Sequence, residues 1–95
     1  MINKNSCREK VEYALKGLNN ALGEDDSYVN AFSSKEQLAT FRRIFSHVLS
    51  ELDAGVLPPK SQRNLGMAMI VIDCWPFDFY PGQLIIDAER AYKEL

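Results

Sequence analysis

The sequence predicts an all-α fold, a compact four-helix domain with a central, mostly buried third helix. Three observations carry that prediction. Apolar residues recur at three- and four-residue spacing in three separate segments. Helix-start and helix-stop signals stand at the edges of those segments, and the one run whose period is ambiguous has no second segment to offer it a strand partner. At 95 residues the chain is long enough for one modest core, so residues 1–95 are read as a single helical domain.

In the first segment, Ser6 followed by Glu9 reads as a capping box, which starts a helix at about Cys7. Val11, Ala14 or Leu15, Leu18, Ala21 and Leu22 form its apolar face, and Glu12 stands in the favourable order to pair with Lys16. Gly17 weakens the helix by up to about 1 kcal/mol relative to alanine unless a neighbour packs closely there. Gly23 suits the C-terminal cap. The connection over 24–34 is acidic at its start and carries Tyr28, Val29 and Phe32, which are expected to fold back as a lid. Glu24, Asp25 and Asp26 lack the alternating ligands, glycine and closing glutamate of an EF-hand loop, and are read as a solvated acidic corner.

Ser33 with Glu36, or Ser34 with Gln37, supplies a second capping box. Behind it Leu38, Phe41, Ile44, Phe45, Val48, Leu49 and Leu52 form the clearest stripe in the chain, opposite a face carrying Lys35, Arg42, Arg43, His47, Glu51 and Asp53. Gly55 ends this helix, and Pro58-Pro59 prevents it from resuming.

The run from Met67 to Ile72 is apolar on every side. Its good helix formers and the possible caps Ser61 and Asn64 favour a helix, while Ile70-Val71-Ile72 and the aromatics beyond suit a strand. Pro76 forces a stop near Asp73 or Cys74. Pro81 then suits the first turn of a last helix, whose inward positions are Leu84, Ile85, Ala88, Ala91, Tyr92 and Leu95, with Asp87, Glu89, Arg90, Lys93 and Glu94 largely outward. The spacing therefore predicts helices over 6–22, 34–54, 62–74 and 82–94.

Composition narrows the function classes. A net charge of −2 argues against a nucleic-acid or anionic-membrane binder, and the residue spacing does not match helix-turn-helix signatures. Cys7 and Cys74 form no CxxC pair, so reduced thiols in a cytoplasmic protein are expected, with Cys74 packed and unreactive. The polar N-terminus does not read as a secretory peptide, and no apolar run is long enough to span a bilayer. His47 falls off the apolar stripe without a nucleophile in a recognisable context, and the five glycines are too scattered for a phosphate cradle. No enzymatic activity, metal or cofactor is expected.

What stands out is four aromatic residues within six positions, more than a turn between helices requires. Asp73, Trp75, Phe77, Asp78, Phe79 and Tyr80 are the candidate partner-binding residues. In one reading the rings are mainly core, with Trp75 and Phe79 capping the open end of the bundle; in the other some stay exposed beside Asp73 and Asp78, as when Trp75 is buried while Phe77 and Tyr80 face outward, making an acidic patch centred on aromatic rings. The expected partner is another protein with a basic surface, which a bacterial inhibitor or immunity-type protein would neutralise. The alternative is an assembly module that homodimerises through the same segment.

Overall fold

A computed structural model describes residues 3–23 and 31–95. Among them the helices are α1 (Lys4–Gly23), α2 (Lys35–Ala54), α3 (Met67–Cys74) and α4 (Tyr80–Glu94), with a 3-10 turn at Lys60–Gln62 and no strand. The all-α expectation holds, and the ambiguous apolar run is helical. The acidic corner at Glu24, Asp25 and Asp26, with Tyr28 and Val29, lies outside the described residues.

The helix in the middle is α1. It packs along both α2 and α4, whereas α3 packs on α4. Cys7, Val11, Ala14, Leu18 and Ala21 fill the first seam, and Gly17 brings α1 close to the start of α4. A methyl group added at Gly17 would stand 3.2 Å from Leu84 Cδ1 and 3.4 Å from Pro81 Cβ, which is why this helix carries a glycine in its interior.

The expectation of a central, mostly buried third helix is corrected. Only Met67 and Val71 of α3 are buried, while Met69 is 65% and Ile72 64% exposed. The reason is geometric: a helix laid on one neighbour buries a single stripe of residues four apart, here Met67, Val71 and then Trp75, however apolar its other positions are. Among the described residues, α4 is the only helix that packs extensively on α3.

Several ends are also shifted. Asn3 caps α1 in place of Ser6, its Oδ1 accepting the Ser6 amide at 2.8 Å. Asn and Ser cap comparably, so the earlier residue adds one turn. Glu12 pairs back with Arg8 (Nε to Oε1, 3.0 Å) instead of forward with Lys16, and the same guanidinium reaches Asp53 on α2. Ser34 does cap α2, accepting the Gln37 amide at 3.1 Å, and Gly55 closes that helix with φ 72°. The third helix begins at Met67 and not at 62, because Gly66 turns left-handed at φ 80°. Asn64 accepts the Gly66 amide at 3.2 Å in a local turn and does not serve as the helix cap.

The cap of α3 comes from another helix. Glu89, expected outward, is 2% exposed, and its Oε1 accepts the Ala68 amide at 2.9 Å. Lys93 Nζ lies 3.5 Å from the other oxygen. An open amide of the first turn of α3 thus holds a carboxylate from α4 between the two helices. Arg63 is also buried, donating through Nε to the Pro58 carbonyl at 2.8 Å and through Nη1 to the Tyr92 carbonyl at 3.4 Å. Its guanidinium carbon lies 5.8 Å from the Tyr92 ring centroid, which ties the proline connector to the end of α4.

Tyr92 is buried, and its hydroxyl donates to Glu51 Oε1 at 2.9 Å. Burial first, and the Glu51 carboxylate second, push its ionisation up to about 12 from 10.0. A folded-state value above the unfolded one means that this contribution to stability is complete below about pH 10 and is lost as the pH rises toward about 12. Alkaline denaturation followed by circular dichroism is therefore expected to show a decline over that interval, and Tyr92→Phe is expected to flatten it. For the interhelical cap, Glu89→Ala is expected to lower stability by about 1–3 kcal/mol in urea unfolding, and Glu89→Gln, which keeps an acceptor, by less.

Candidate functional site

The site is made by the way the chain leaves α3. Proline at 76 disfavours a helical conformation for the residue before it, and Trp75 accordingly sits at φ −98°, ψ 145° while its amide still reaches the Val71 carbonyl at 3.0 Å. Two successive turns follow. The Phe79 amide bonds to the Pro76 carbonyl at 3.2 Å and the Gly82 amide to the Phe79 carbonyl at 3.0 Å. The chain thus reverses into α4 within a few residues, with Phe77 at the outer tip of the reversal.

Below that tip the rings close on one another. Trp75 is 7% exposed, with the centroids of Phe32, Phe41 and Phe79 at 5.6, 5.8 and 5.4 Å from its own, and Phe32 lies 5.0 Å from Phe79. Phe32 is the one described member of the expected lid, and it does fold back. The indole Nε1 donates to Gln37 Oε1 at 3.4 Å, an oxygen that also accepts from Ser33. The first turn of α2 therefore supplies the polar partner that a buried tryptophan requires.

On the outer side α3 and α4 leave a recess of about 130 Å³ lined by Val71, Ile72, Trp75, Phe77, Gly82 and Ile86. Gly82 allows α3 to come down this far: a methyl there would lie 3.0 Å from Val71 Cγ1 and 3.4 Å from Trp75 Cε3. Met69, Ile72 and Phe77 are exposed, Phe77 fully.

Of the six candidates, Trp75, Phe77 and Phe79 line this recess, Trp75 as floor and Phe77 as lip. Asp73 and Asp78 are exposed next to Ile72 and Phe77 in the chain. Tyr80 is exposed but belongs to a separate groove on the α1 side, with Tyr13, Lys16 and Asn20. Ile72, Gly82, Ile86 and Met69 are additions that the aromatic count did not single out. One signal was available: between Arg63 and Glu89 the charged residues are Asp73, Asp78 and Asp87, all acidic.

Cys74, expected to be packed, is exposed, whereas Cys7 is buried; both are free thiols. The Cys7 thiol is pushed up by burial, against a smaller opposing effect of the Arg63 charge. His47 is exposed and borders a groove with Arg43, Glu51 and Tyr92, among whose lining residues there is no serine or cysteine. No model of a known protein family matches the chain, and no curated protein does.

The two neighbouring rings are expected to separate cleanly in urea unfolding. Trp75→Ala should lose about 3–5 kcal/mol, as for a large buried aromatic side chain, and Phe77→Ala should stay within about 0.5 kcal/mol of the parent.

Proposed function

We propose that the protein is a non-enzymatic binding module that occupies a basic surface on another protein, as an inhibitor or immunity-type protein does against a basic toxin or nuclease. The observation that carries this reading is the outer face of α3 and the turn after it: Met69, Ile72 and Phe77 stand exposed together with charges of one sign, Asp73 and Asp78. Apolar anchors ringed by like charges fit a partner of opposite charge, with the charges speeding encounter and the anchors slowing release. A cytoplasmic location belongs to the same reading, supported by two free thiols. Among the described residues no helix is long and apolar enough to cross a membrane.

Homodimerisation through the same segment is the second reading, favoured by the exposed Met69 and Ile72. A two-fold contact sets a patch against its own copy, so Asp73 and Asp78 would face like charges. That repulsion favours a hetero-partner. Sedimentation at two concentrations separates the readings, with a monomer at both expected.

The direct test is affinity capture from the native host with three baits: the parent, Phe77→Ser, and Val56→Ser as an exposed apolar control outside the recess. A basic protein retained by the parent and by the control, and lost with Phe77→Ser, is the expected outcome. Retention by all three baits would remove Phe77 from the interface and the reading with it.

A further inference from the structure

The recess itself says what kind of segment the partner presents. Its volume of about 130 Å³ is well below the roughly 300 Å³ at which sites for cofactors and drug-sized ligands begin. Its walls are mostly apolar, with Val71, Ile72, Trp75, Phe77 and Ile86 over Gly82, and Gln83 is the one polar side chain among them. A space of that size and lining suits one aliphatic side chain of a macromolecule. The described residues contain no strand, hence no sheet edge onto which an extended peptide could add. What is present is a furrow between two helices, the arrangement that receives an amphipathic helix through a projecting anchor.

The charges specify what surrounds the anchor. Asp73 adjoins Ile72 and Asp78 adjoins Phe77, both aspartates exposed, while Asp87 lies on the α1 side of α4 beside Lys10 and Arg90 and is not part of this face. No lysine or arginine occurs in the sequence between Arg63 and Glu89. We infer that the α3–α4 recess receives a single leucine-sized side chain from a lysine- or arginine-rich amphipathic helix of the partner, with Phe77 closing over it as a lip. The inference rests on the protein-binding reading above and adds the form of the partner segment to it.

The chain carries its own reporter, because Trp75 is its sole tryptophan and forms the floor of the recess. The protein is titrated with tryptophan-free synthetic amphipathic peptides of about 16 residues, roughly 24 Å of helix. One is lysine-rich with a single central leucine, one has that leucine replaced by alanine, and one has glutamate in place of lysine. The leucine, lysine-rich peptide is expected to give a saturable change in Trp75 emission. Removing the anchor should weaken it about tenfold, in keeping with the burial of one aliphatic side chain. The glutamate peptide should bind more weakly still.

Two protein variants accompany the titration. Asp73→Lys, at an exposed position, is expected to weaken the lysine-rich peptide and leave the urea midpoint unchanged. Ile86→Phe fills the recess and is expected to abolish the preference for leucine over alanine, with folding checked by the same midpoint. Equal affinity for the leucine and alanine peptides would overturn the anchor while leaving the acidic docking face standing. Equal affinity for the lysine and glutamate peptides would overturn the basic partner and, with it, the proposed function. An absence of any saturable signal would overturn the helical-anchor inference, and the Phe77-dependent capture would then decide the broader reading by itself.

Discussion

The indole of Trp75 is the contact on which the arrangement depends. It lies at the end of α3, stacks among rings from the segment before α2, from α2 itself and from the turn leading into α4, and donates its one hydrogen bond to Gln37. Few single side chains in a domain this small reach so many elements. Because Trp75 continues the buried stripe begun by Met67 and Val71, placing it inward fixes the rotation of α3 about its axis. The positions between, Met69 and Ile72, then have to face water.

That exposure follows from how the described helices pack. α1 has a neighbour on each side, and the small residues along it let both approach closely. Once α1, α2 and α4 are packed, α3 can only be laid on α4, with Gly82 removing the side chain that would hold the two apart and Glu89 reaching across to the open end of the shorter helix. Apolar surface left outward by such a layout is a liability for solubility unless something covers it, and solvent-facing groups of apolar residues that are not needed for the core are a familiar mark of an interaction surface. Here the same surface also carries the exposed acidic residues Asp73 and Asp78.

The fold was largely legible in the residues because the signals for it are local. Apolar spacing located α1, α2 and α4, Ser34, Gly55 and Pro81 marked three ends correctly, and Pro76 stopped α3 where it does stop. Misplaced ends had local competitors: Asn3 stood upstream of Ser6, and Gly66 turned left-handed after Asn64. The candidate site was legible in part. Counting aromatics found Trp75, Phe77 and Phe79 but left open which rings are core and which exposed, and it also drew in Tyr80, which faces the α1 side, and overlooked Ile72 and Ile86, which are aliphatic and unremarkable in sequence.

By itself the sequence determined that three amphipathic segments coil, where proline and glycine interrupt the chain, and which face of each long helix is apolar, since all of these depend on residues within a few positions of one another; it left the 67–72 run open between helix and strand. The tertiary structure decided which helix is central, that Glu89 is buried as a cap, and that the most apolar helix is the most openly exposed on its outer side. Those outcomes depend on how many neighbours each helix finds. Neighbour number is a property of the packed whole, and a helix that is apolar all round looks the same in sequence whether it has three partners or one.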